Sequence, residues 1–264
     1  MRAIVNMRDN PMFRVDLHVH TGYSFDSTTS LSNIVKRVVD KNLDCIAITD
    51  HGTIEGALSL REMAPFQVIV GQEIKTTQGD LIGLFLSKQV PSGLQPIEAV
   101  ECVRRQNGIV MLPHPFDRIR GSALTSQGFF DVLLMDDLDD ATLVRNRIRV
   151  TDILQKRETP NHIADLQLGG FDLIEGFNAR NVFRSSDRMA KVFADSSKIP
   201  IVAVSDAHTV SELGNTYTQI PKLSNDPKEF LEAIRQGFLV EKRSNPLVHC
   251  ATTYNRLVKQ FLRR

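Results

Sequence analysis

Five of the chain's seven histidines stand where a β-like apolar run gives way to a polar loop. They are His18 and His20 closing 13–20, His51 beside Asp50 after 45–49, His114 closing 109–114, and His208 beside Asp206 closing 201–208. Two further runs close on Glu73 (66–73) and on Glu175 with Asn178 (172–178). Residues two apart on a strand point the same way, so His18 with His20, and Asp206 with His208, each form a pair able to grip one ion. Imidazoles mixed with carboxylates, without a thiolate, suit zinc, manganese or iron, whereas calcium and magnesium take oxygen donors. Such groups are costly to bury together without a cation, so the pattern points to a multinuclear metal site. His162 and His249 fall outside the pattern and are read as structural.

For these ends to meet, the strands must share a direction. Short β-like runs alternate with 3.6-period runs, the rhythm of an α/β fold. Leu31, Ile34, Val35, Val38 and Val39 have helical spacing behind Ser30, a suitable N-cap. Further helices are expected over 54–64, 96–106 and 187–196. In parallel α/β sheets and barrels the carboxyl ends of the strands lie on one face, and a barrel collects six such ends most economically. The rhythm fails over 125–168, where Asp136, Asp137, Asp139 and Asp140 precede Arg145, Arg147 and Arg149. That stretch is read as a helical insertion with solvated charges, within one domain spanning 1–264. The tail, 242–264, carries six Lys/Arg and no acid, and is expected to form a basic helix.

Lys+Arg 32 against Asp+Glu 31 leaves a net charge of +1, no footprint for long nucleic acid or an anionic membrane. Cys45, Cys102 and Cys250 are odd in number and widely spaced, so neither a disulfide framework nor a thiolate zinc site is expected. No apolar stretch is long enough to span a bilayer, and a cytoplasmic protein is expected.

The stretches Asp16-Leu17-His18-Val19-His20-Thr21-Gly22-Tyr23-Ser24, Ile48-Thr49-Asp50-His51-Gly52, Gly71-Gln72-Glu73, Pro113-His114-Pro115 and Ser205-Asp206-Ala207-His208 resemble the PHP (polymerase and histidinol phosphatase) superfamily. The resemblance runs in order from residue 14 to residue 220, and 204–217 is similar to the stand-alone metal-dependent phosphoesterase branch. It implies a distorted (β/α)7 barrel holding two or three divalent or transition metal ions. By matching position it implies His18, His20, His51, Glu73, His114, Asp206 and His208 as ligands, with Glu73 bridging and Asp50 orienting the site from behind. The acid usual after H-x-H is here Asp26, one residue late behind Phe25, and its ligation requires the loop to bulge. Asp80 stands where many relatives offer histidine. Asp50 and His208 are the catalytic candidates, and Arg118, Arg180 and Asn178 the candidate contacts to substrate phosphate.

The chemistry implied is hydrolysis of a phosphate ester by metal-activated water. No G-x-S-x-G elbow or G-x-x-x-x-G-K-[ST] loop offers another route. Small phosphomonoesters, nucleotides and short oligonucleotides are the expected substrates. Two rivals are a metal-dependent amidohydrolase and a phosphate or nucleotide sensor that binds without turnover. Asp206-Ala207-His208 counts against the first, and the completeness of the ligand pattern against the second.

Overall fold

The computed structural model describes residues 12–117 and 170–262. Strands β1 (Phe13–Val19), β2 (Cys45–Ile48) and β3 (Gln67–Thr76) run parallel, with α1 (Leu31–Asp40) and α2 (Glu55–Met63) as crossovers. The Ser30 hydroxyl accepts from Asn33 N and starts α1, which buries Ile34 and Val38. Beyond Glu73, β3 does not stop. It continues three residues to a turn where Thr76 Oγ1 donates to Gly79 O at 2.6 Å, and β4 (Gly79–Leu84) returns antiparallel. Glu73 therefore lies within its strand rather than at its end, because the Thr76–Gly79 turn extends the pairing.

Helix α3 (Pro96–Arg104) leads to β5 (Ile109–Leu112), which is antiparallel to β4 and parallel to β6 (Leu173–Asn178). Then α4 (Arg184–Ser197) carries the chain to β7 (Ile201–Val204), parallel to β6. The expectation left 217–240 unassigned. That segment forms β8 (Tyr217–Ile220), α5 (Pro227–Arg235) and β9 (Phe238–Val240), with β8 antiparallel to both β1 and β9. A terminal helix, α6 (Val248–Leu262), starts six residues later than the expected basic helix at 242.

The sheet order is β7-β6-β5-β4-β3-β2-β1-β8-β9. Val19 and Ala207 form a parallel bridge, and His20 N donates to Ala207 O at 2.9 Å, so β1 meets the chain leaving β7. The sheet is thereby a nearly closed barrel, as expected, with antiparallel β4, β8 and β9 added to the parallel strands. One core cluster joins Val15, Leu17, Ala47, Ile69, Ile82, Met111, Leu173 and Val204 to Phe230 and Ile234 of α5. Alternate strand residues, including Ile46, Ile48, Val68, Val70, Leu112 and Ile174, pack instead with the residues of α1 to α4. The first face is thus the barrel interior. Arg118, His162 and the 125–168 insertion lie outside the described residues. Among the described residues no helix is long and apolar enough to cross a membrane.

Phe230 is fully buried and meets the Phe85 ring edge-on at 5.4 Å. Phe230→Ala is expected to lower unfolding free energy by about 3–5 kcal/mol in denaturant titration. A loss under about 1 kcal/mol would show that α5 does not plug the barrel.

Candidate metal centre

Strict alternation would put Leu17 and His18 on opposite faces of β1, yet both turn inward. Between Asp16 and Val19 the pairing with β2 shifts, so Leu17 and His18 together oppose Ala47. This bulge carries His18 and His20 onto the face that Val15 and Leu17 occupy. The same device acts in β6, whose pairing with β7 shifts between Glu175 and Phe177. Gly176 is the extra residue, and a Cβ there would sit 2.8 Å from Ile201 Cβ. Glu175 and Asn178, three residues apart, consequently face the same way. Period-2 alternation would turn Glu175 away from Asn178, and the bulge turns it back.

Four side chains meet at one focus. His18 Nε2 and His20 Nε2 are 2.9 Å apart, Glu73 Oε2 is 3.1 and 3.3 Å from them, and Asp206 Oδ1 is 3.5 Å from both. Beside it lies a second focus, where Asp26 Oδ2 is 3.1 Å from His208 Nε2 and 3.4 Å from His51 Nε2. Glu73 joins them, with His51 Nε2 3.5 Å from Oε2 and His114 Nε2 3.3 Å from Oε1. At a metal–ligand distance of about 2.1 Å, neighbouring donors lie about 3.4 Å apart in a tetrahedron and about 3.0 Å apart in an octahedron. The observed separations bracket both values. His18, His20 and Glu73 can share one ion, and Asp26, His51 and His208 another, with His20 able to serve either group but not both. The donor atoms fit a cluster of cations.

Asp26 reaches this focus because its loop folds tightly. Gly22 N donates to Thr29 O, Ser24 N to Thr21 O, and Ser24 Oγ to Asp26 Oδ1 at 2.7 Å. His114 and Asp206 are held at φ 27° and φ 52°, a left-handed region seldom used by residues other than glycine. Such backbone persists only where the surroundings over-determine it.

The supporting residues are as ordered as the donors. Glu175 Oε1 lies 2.6 Å from His18 Nδ1, while Oε2 accepts from His114 N and Asn178 Nδ2. This carboxylate–imidazole contact fixes which His18 nitrogen faces the focus. Asn178 Nδ2 also donates to Asp206 Oδ2 at 3.0 Å, and its Oδ1 accepts from Arg180 N. Asp50 accepts from Thr21 N and Thr21 Oγ1, each at 2.6 Å, behind His20 and His51. Gly56 makes that contact possible, since a Cβ there would lie 2.2 Å from Asp50 Oδ2. Arg180 is 3% exposed and turns to Glu212, Thr252 and Val248 O. Asp80 stands opposite Lys75 in the backbone register of the β3–β4 hairpin and belongs to neither donor group. His249 contacts Arg180 O. Gly56 and Glu212 are the residues that the sequence reading missed, while Glu175 was seen as a strand-end acid whose direction only Gly176 could have signalled.

Burial drives the His20 imidazole down, but contacts with Asp206 and Glu73 outweigh it and raise its pKa to about 9. Burial likewise opposes ionisation of Glu73, and the surrounding His51, His18 and His114 hold its carboxyl well below the usual range. His208 goes the other way. Burial and the His20 charge lower it to about 4, leaving a neutral imidazole suited to ligation.

Family models match the chain twice: one described as "PHP domain" over residues 16–142, and one described as "PHP-associated" over 184–238. An uncharacterized protein of Methanocaldococcus jannaschii is 38% identical over 119 residues, covering 40% of this chain and 70% of that one. A two-domain Bacteroides vulgatus protein, described as containing a predicted PHP-like metal-dependent phosphoesterase, superposes with TM-score 0.62 at 16% identity. That match covers 93% of this chain and 70% of the other. The lesion-specific endonuclease PfuEndoQ from Pyrococcus furiosus superposes with TM-score 0.55 at 13% identity, over 89% of this chain and 60% of that one. At these identities the two structural likenesses are of fold.

Between its ordinary 6.5 and about 9, the folded His20 holds a proton that the unfolded chain has released. The folded state then binds more protons, and stability falls as pH rises through this interval. Denaturant titration of metal-free protein should show lower stability at pH 9 than at pH 6.5, and an equal or higher value at pH 9 contradicts the assignment. Glu175→Gln should weaken metal affinity about 10–100-fold by equilibrium dialysis, and unchanged affinity would remove Glu175 from the centre.

Proposed function

We propose that this chain, which belongs to the PHP superfamily, is a metal-dependent hydrolase of phosphate esters that cleaves small phosphomonoesters, nucleotides or short oligonucleotides. We propose two or three zinc, manganese or iron ions, held by His18, His20, Asp26, His51, Glu73, His114, Asp206 and His208. One observation carries this reading: the Glu73 carboxylate lies between two sets of imidazole and carboxylate donors at ligand-like spacing. Bound cations supply Lewis acidity, lowering the pKa of water and neutralising phosphoryl charge.

The protein's own groups do the rest. Glu175 orients His18, and Asn178 orients Asp206 through its amide nitrogen. Asp50, saturated by Thr21, positions the turn that follows His20. Asn178 Nδ2 donates to Glu175 and Asp206, and Arg180 Nη2 to Thr252 and Val248 O, so both act as positioning residues in this proposal, and Arg118 is the candidate for the substrate phosphate. His208, neutral at pH 7, is the candidate either to ligate through Nε2 or to pass a proton there. The near-zero net charge supports compact phosphorylated substrates over long duplexes. The fold shared with a lesion-specific endonuclease supports short oligonucleotides among them.

His20→Ala and Asp206→Ala should each lose bound metal together with hydrolysis across a phosphoester panel, because opening the inner focus removes a shared donor. Metal analysis of protein purified without chelator provides the first readout and single-turnover hydrolysis the second. Wild-type turnover in both variants would overturn the site, and binding of the panel without hydrolysis by the wild type would favour a sensor.

A further inference from the structure

Helix α6 is held to the barrel in an unusual way. Asn255 is its buried residue, while Tyr254, Leu257 and Phe261 are 67%, 61% and 81% exposed. Its polar contacts to the described residues fall into two sets. In one, Lys259 Nζ donates to Gly22 O at 2.5 Å and to Ser24 O, and Thr28 Oγ1 donates to Asn255 Oδ1 at 3.3 Å. The Arg256 guanidinium lies 5.5 Å from the centre of the Phe25 ring, which in turn packs 4.9 Å from the His51 ring. These contacts pin the loop that presents Asp26.

In the other set, Arg180 Nη2 donates to Thr252 Oγ1 at 2.5 Å and to Val248 O at 3.4 Å. Arg180 Nη1 faces Glu212 Oε1 at 3.4 Å, and both partners are buried. Glu212 Oε2 then accepts from His208 N at 3.2 Å and from Thr209 N and Oγ1 at 2.9 Å. This chain of contacts ends on the backbone of His208. One helix thus braces both members of the Asp26–His208 contact, from opposite sides. The inner focus is supported differently, with His18 set by Glu175 and Asp206 by Asn178.

We infer that α6 is a positioning element for the outer donors, Asp26, His51 and His208, and that Thr252 and Lys259 are its two anchors. The inference rests on the metal-centre reading given above. Without the anchors, the Asp26 loop and His208 lose their mutual alignment, and the outer group holds a cation less tightly. The inner group, anchored within the barrel strands, is unaffected.

The test uses the full chain carrying Thr252→Val and Lys259→Met together, with Mn2+ alone as the probe. Equilibrium dialysis with metal analysis gives the binding isotherm, and thermal unfolding of the metal-free protein reports the fold. The double variant should bind its last Mn2+ about tenfold more weakly than the wild type, with the first Mn2+ unchanged. The metal-free double variant should still unfold in one cooperative transition, and Lys259→Arg alone should keep most of the wild-type affinity. An unchanged isotherm, or equal weakening of every Mn2+, overturns the inference while leaving the metal centre standing. A wild-type chain that binds no Mn2+ overturns the metal-centre reading, and this inference with it.

Discussion

Glu73 is 2% exposed, and its two oxygens lie within 3.5 Å of His18, His20, His51 and His114. A carboxylate so deeply buried is stable only if positive charge surrounds it. Protonated imidazoles meet that need in part, and cations meet it better, since they also relieve the crowding of His18 and His20 at 2.9 Å. The barrel exists, in functional terms, to keep this carboxylate in place while other segments deliver its partners. Its position inside β3, continued by the β3–β4 hairpin, gives it hydrogen-bonded backbone on both sides.

Precision at the centre is achieved by departures from regular structure. Bulges at Leu17–His18 and Gly176 re-aim side chains that regular strands would turn away. His114 and Asp206 adopt left-handed backbone, and Gly56 leaves room for the Asp50 carboxylate. Each of these conformations costs free energy that the surrounding packing must offset, and they concentrate where the donors meet.

Much of this was legible in the amino-acid sequence. The strand-end histidines and carboxylates are local signals, as is Ser30 ahead of α1, and the structure brings the first together and caps the helix with the second. The direction of Glu175 was not legible, because period-2 alternation cannot foresee a bulge, although Gly176 marks where one is tolerated. Asp26 came one residue late by pattern, and the tight turn at Thr21–Ser24 is what restores it to His208. Strands β8 and β9 escaped notice because they are three or four residues long and only half-buried. The charges of the tail could be counted, but their partners, Gly22 O, Ser24 O and the Phe25 ring, are far away in sequence.

The most direct test of the central claim is anomalous diffraction from crystals of the chain soaked in Mn2+ or Zn2+, collected across the metal absorption edge. The account predicts at least two peaks flanking the Glu73 carboxylate, one bounded by His18, His20 and Asp206, the other by Asp26, His51 and His208. Peaks only at surface residues, or an empty cavity around Glu73 under saturating metal, would contradict it.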